Sequence, residues 1–230
     1  AAHVLSRPAG WAAWEVSVTA TTKPVRGSHL LLPVLPLRDV CLFPEAHLTV
    51  NLVRPPVLEA LAVGRRAGGR LLALAQKDPS SPSPAPANLH EVGTVAELGT
   101  TSPLETGRSA IDEGSELLEL IGQSRARVVG LLGTSVLIAE VELLEEGSPG
   151  DEWGPAVEAL ARYIHAHSEL RSFLDEQRRS NAPMAWVNLA CQHLPITATA
   201  RQRLLACDAA ERCAKISRGL DALLRKEQSA

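Results

Sequence analysis

The stretch "LPVLPLRDVCLFPEA", residues 32 to 46, decides how the chain is read: it is apolar enough for a buried strand, yet it contains Pro33, Pro36 and Pro44. Proline removes a backbone donor and fixes φ, which a sheet edge tolerates and a central strand does not. The prolines therefore predict an extended segment on a sheet edge. Arg38 and Asp39 form a turn that keeps its charges in water. Beyond it, Leu42, Phe43 and Pro44 either present an apolar ridge or carry Leu42 and Phe43 into the core. An edge with unpaired acceptors beside an apolar ridge would accept an extended peptide.

Outward from this stretch the signals stay short and β-like. In "HLTVNLV" (47 to 53), Leu48, Val50 and Leu52 alternate with Thr49 and Asn51, the period of a strand with one wet face. Further runs follow at 70 to 76, 90 to 98, 116 to 122, 126 to 132 and 136 to 144, giving six or seven strands, enough to curl into a barrel. One helix interrupts them. Pro55 and Pro56 suit its first turn, Val57, Leu58, Leu61 and Ala62 form its apolar stripe, and Gly68 and Gly69 end it. The proline-rich run 78 to 88 and the stretch 100 to 115 read as loops.

The period changes after "EEGSPGD" (145 to 151). Asp151 is placed to cap a helix with Pro155 in its first turn and Val157, Leu160, Ala161, Ile164 and His165 at helical spacing. Helices are also expected at 170 to 179, at Pro183 to His193 and near Thr199 to Cys207. Asp208 and Glu211 then open a last one as a capping-box-like pair. The chain divides into an N-terminal extension (1 to 28, with Trp11 and Trp14), a β-rich part (29 to 147) and a helical part (148 to 230).

Composition narrows the chemistry. Hydrophobic residues make up 45% and charged residues 21%, as in a folded globular protein, while aromatics are only 3%, so Leu, Val and Ala must do the packing. The net charge of −3 provides no global attraction to nucleic acid or anionic lipid. Arg65, Arg66, Arg70, Arg125 and Arg127 are expected on a solvated face, since an RNA surface would interleave them with aromatics and only Phe43 is at hand. No run is long enough for a membrane span and no secretory signal opens the chain, so the protein reads as cytoplasmic. No phosphate-binding loop, G-x-S-x-G elbow or justified metal spacing occurs, and no catalytic residue, metal or cofactor is expected. His165 with Glu169, or Cys191, His193, Cys207 and Cys213, contain ligand types, but a helix surface and buried thiols are the favoured readings.

The order of segments resembles the N-terminal substrate-binding domain of Lon proteases. The likeness runs from "LPVLPLRDVCLFPEAHLTVNL" through "LALAQKDP", "LHEVGTVAEL" and "LIAEVELLEE" to "HLPITATARQRLLACDAAERCAKISRGLDALL", over residues 29 to 226. It implies an α+β fold, a PUA-like β-barrel followed by a helical bundle. It also implies a free-standing, non-enzymatic module that binds exposed hydrophobic segments of unfolded or damaged polypeptides. A separate ATP-dependent protease or chaperone would be a partner. RNA binding is the alternative, by analogy with PUA-like barrels. Pro36, Leu42, Phe43, Pro44, Leu89 and Val92 are the expected binding residues. Glu45 departs from the family, which commonly has Gly after Phe-Pro, so a turn with positive φ would be strained at this position.

Overall fold

The computed structural model describes residues 29–52, 54–82, 85–103, 116–134, 136–167 and 183–228. The extension 1 to 28, residues 104 to 115 of the expected 100 to 115 loop and the expected helix at 170 to 179 lie outside these residues, while residues 100 to 103 belong to a strand and not to the loop. Six strands form one sheet: β1 (Leu30–Leu37), β2 (His47–Asn51), β3 (Arg70–Ala75), β4 (Val92–Pro103), β5 (Glu116–Leu132) and β6 (Ile138–Leu143). Helix α1 (Pro55–Arg66) lies between β2 and β3. After β6 come α2 (Trp153–Ala166), α3 (Pro183–His193), α4 (Ala198–Ala206) and α5 (Ala209–Gln228).

Strand pairing explains the shape. β1 runs parallel to β3, and antiparallel ladders join β3 to β4, β4 to β5, β5 to β6 and β6 back to β1, so these five strands close a ring. Closure consumes edges that would otherwise pair with other chains. β2 adds to β5 outside the ring. One core cluster gathers Leu32, Val34, Leu72, Leu74, Val95, Ala126 and Val141 from the ring strands. A second places Val57, Ala60 and Leu61 of α1 on Leu35, Leu37, Leu71 and Ala73, on the opposite face of β1 and β3.

Several local expectations are corrected. β1 is not an edge strand, because residues 30–33 pair with β6 and residues 34–37 with β3. Its prolines are tolerated because it changes partner midway. Val34 N–H donates to Leu137 O (2.8 Å) on the β6 side, whereas Leu37 O accepts from Gln76 N (2.9 Å) on the β3 side. Pro36, in phase with Val34, turns its donor-less nitrogen to the side where β6 has ended, and its carbonyl accepts from Arg54 Nη2 (2.8 Å).

The two strands expected at 116 to 132 are one strand of 17 residues. Gly122 marks a close approach of backbones, not a reversal. Its N–H donates to Ala46 O (2.9 Å), its carbonyl accepts from Glu45 N (2.8 Å), and an added methyl would overlap the Phe43 carbonyl oxygen.

In α1 the buried positions are Val57, Ala60, Leu61 and Gly64, the i, i+3, i+4, i+7 face, while Leu58 and Ala62 are exposed. Gly68 (φ 84°) and Gly69 (φ 77°) end the helix as expected, with Gly69 N–H on Gly64 O (2.9 Å). Glu152 and not Asp151 takes the N-cap position of α2, with no side-chain cap hydrogen bond, because a 3-10 turn at Gly150–Glu152 precedes the helix. Ala161 and His165 face solvent, and Tyr163 packs in their place. Asp208 Oδ1 accepts from Glu211 N (2.9 Å) at the head of α5, and the Glu211 carboxylate turns to Lys215 (2.8 Å) instead of closing the box.

Candidate functional site

The stretch that opens onto the fold, residues 41–47, is gripped by the helical part. Asn188 and Gln192 sit four residues apart on α3, hence on one helix face. Asn188 Nδ2 donates to Pro44 O (3.1 Å), Gln192 Oε1 accepts from Phe43 N (3.1 Å), and Gln192 Nε2 donates to His47 O (2.6 Å). From α4, Gln202 Nε2 donates to Val92 O (2.7 Å) and its Oε1 accepts from Cys41 Sγ (3.4 Å). These three amides are buried, so each satisfied bond offsets a desolvation cost.

A charged network completes the joint. Arg212 of α5, fully buried, donates to the carbonyls of Leu204 (3.0 Å) and Cys207 (2.8 Å), to Asn188 Oδ1 and to Glu146, and stands 5.6 Å from the Phe43 ring centre. Arg125 of β5, 3% exposed, donates to Glu146 Oε2 (2.5 Å), Glu145 O (2.9 Å) and Ala206 O (3.3 Å). Arg125 is therefore no part of a solvated basic face. Glu146 receives both guanidiniums, a geometry that spreads the cost of burying each charge. Glu45 lies beside it. Burial and the Glu146 charge push its carboxyl above the usual range, although the side chain still reaches solvent.

All six expected binding residues are buried: Leu42, Phe43, Pro44, Pro36, Leu89 and Val92. Of the two readings of Leu42 and Phe43, ridge or core, the structure takes the core. Leu42 joins the α1 cluster, Phe43 and Val92 join the core shared with α2 to α5, and Leu89 packs inside the ring. Glu45 does adopt positive φ (61°), so the turn keeps a glycine-like backbone with a Glu in it. All four cysteines are buried and free, and burial raises Cys41 and Cys213 to about 11 and Cys191 to about 12, which suppresses the reactive thiolate. Among the described residues no group of three or more His, Cys, Asp or Glu could hold a metal.

What remains open lies around the end of β1. A cleft of about 250 Å³ is walled by Leu35, Leu37, Val40, Val50 and Val57, with Pro36 at its side and Arg38, Asn51 and Arg54 completing it. Arg38 Nη2 donates to Ser81 O (2.7 Å), and Gln76, 4% exposed, ties the same loop to Arg54. Arg38 and Arg54 carried no sequence signal beyond a turn and a helix start. Only pairing 18 to 43 residues away brings them together. A second pocket, about 330 Å³, opens at the joint beside Glu45, Glu146 and Met184. Leu31 (59% exposed) and Leu132 (62%) stand outward on the ring near Ile138.

Comparison with known proteins agrees with this architecture. The model of the ATP-dependent protease La (LON) substrate-binding domain matches residues 31–222. Lon protease 1 of Thermus thermophilus is 29% identical over 206 residues, which are 86% of this chain and 25% of that protein. The Desulfovibrio desulfuricans Lon protease is 30% identical over 138 residues, 60% of this chain and 15% of that one. The chain thus spans a quarter or less of these relatives. Among solved structures, the N-terminal domain of a Mycobacterium avium complex Lon protease superposes with a TM-score of 0.65 at 19% identity, covering 84% of this chain and 98% of its own. A Xanthomonas campestris Lon N-terminal domain protein gives 0.54 at 18% identity, with 85% of this chain covered. With its α+β architecture matched in these structures and the family model spanning its barrel and helices, the chain belongs to the LON substrate-binding domain family.

Proposed function

We propose that the domain is a non-catalytic module that holds exposed apolar segments of unfolded or damaged polypeptides for a separate ATP-dependent protease or chaperone. The observation that supports this most is the cleft at the end of β1. It is an open apolar trough with cationic residues among its lining, on a domain of a substrate-binding family. Its walls are largely aliphatic, which suits varied side chains at modest affinity. Leu31, Leu58, Val129 and Leu132 add separate exposed apolar contacts. The four free, buried thiols suit a reducing compartment, and we place the activity in the cytoplasm.

RNA binding loses support, because Arg125 is committed to Glu146 and backbone carbonyls inside the joint. The test is titration of the 230-residue chain with a reduced, alkylated model protein and with its native form, followed by fluorescence anisotropy. Binding of the unfolded form alone is expected. Equal indifference to both forms refutes the reading.

A further inference from the structure

Arg38 and Arg54 put two guanidiniums on one apolar cleft that has no acidic residue in its lining among the described residues. Among the described residues neither has a carboxylate partner. Arg54 donates to Pro36 O and Gln76 Oε1, Arg38 donates to Ser81 O, and Arg38 Nε is buried with no acceptor. Burial and the Arg38 charge together lower the Arg54 pKa, so the two cations repel one another in a partly desolvated place. An anion would relieve that repulsion, and a carboxylate matches the planar fork of a guanidinium.

The edge beside them argues for where such a carboxylate sits on its chain. Pro36 has no donor to give a passing strand, and its acceptor is already taken by Arg54. A peptide cannot extend the sheet past this point by backbone bonds. A volume of about 250 Å³ holds one or two aliphatic side chains, not a continuous run. We propose that the cleft takes the C-terminal carboxylate of an extended polypeptide whose last side chain is apolar. The carboxylate lies between Arg38 and Arg54, and the side chain rests against Val40, Val50 and Val57. This rests on the reading above that the domain binds polypeptides.

The test uses the full 230-residue chain and an N-terminally fluorescein-labelled peptide of about ten residues ending in three aliphatic residues, made as free acid and as C-terminal amide. By anisotropy the acid should bind about tenfold tighter or more. That preference should fall below about twofold in Arg38→Gln, which removes one cation, and in Val50→Glu, whose carboxylate would occupy the two arginines and repel that of the peptide. Equal binding of acid and amide overturns the inference while leaving polypeptide binding standing. So does equally tight binding of an amidated peptide carrying an internal Glu, since the site would then read a side chain. If neither peptide nor the unfolded protein binds, the broader functional reading falls, and this inference with it.

Discussion

Arg212 is the side chain whose loss should be felt most, and the structure lets the cost be worked out. Arg212→Met keeps most of the volume but withdraws its donors from Cys207 O and Asn188 Oδ1, and from Leu204 O, which keeps the Cys207 N–H (3.3 Å), all at a site with no solvent access. Glu146 keeps Arg125, so no buried carboxylate is left alone and the penalty falls on the stranded acceptors. Each unsatisfied buried acceptor costs about 1–3 kcal/mol, and neighbouring losses do not add fully, so the two stranded acceptors imply about 2–4 kcal/mol. On a domain whose total stability is of order 5–15 kcal/mol, that is a large fraction. Urea unfolding followed by circular dichroism at 222 nm reads it directly. Arg218→Met, on the exposed side of the same helix, is the control and should stay within about 0.5 kcal/mol of wild type. If Arg212→Met unfolds within about 1 kcal/mol of wild type at unchanged slope, the bonds of Arg212 are not holding the helical part together and the reasoning fails.

Glu45→Gly should stabilise by about 0.5–1 kcal/mol, since glycine removes the left-handed strain of about 1–2 kcal/mol at a smaller entropic cost. The Glu45 pKa is raised in the fold, so the cost of its charge is absent below its unfolded pKa and grows as pH rises through the folded one. The gain in melting temperature should therefore be larger at pH 7 than at pH 4, and a gain larger at pH 4 contradicts the assignment. Gly122→Ala drives a methyl into the Phe43 carbonyl and should cost at least about 2 kcal/mol by the same urea assay, whereas Gly154→Ala, with open space around it, should cost less than about 1 kcal/mol. The buried thiols Cys41, Cys191 and Cys213 should react with a disulfide reagent at pH 8 only after denaturant is added, and rapid native labelling of any of them refutes their burial.

What the sequence made legible follows from local rules. Alternation at Leu48, Val50 and Leu52 marks β2, Gly68 and Gly69 mark the end of α1, and the helix expected at Pro183 to His193 has those bounds in the structure. What it hid depends on partners far along the chain. Pro33 and Pro36 argue for an edge unless one knows that β1 hands over from β6 to β3 between them. Gly122 resembles a breaker until Phe43 and Ala46 are seen lying against it. Arg125 alternates with Arg127 as surface charge would, and only Glu146 and the end of α4 make its burial affordable. The site is least legible, because hydrophobicity is the only signal that Leu42 and Phe43 carry. That property cannot tell a ridge from a core.

The helices take hold of the barrel largely by its main-chain oxygens, those of Pro44, His47 and Val92. A carbonyl is the same chemical group whatever side chain follows it. Mutations can therefore redecorate the trough beside Arg38 and Arg54 without unfastening the two halves. Such a coupling would let descendants of one scaffold drift in the cargo they accept while the angle between barrel and helices stays put.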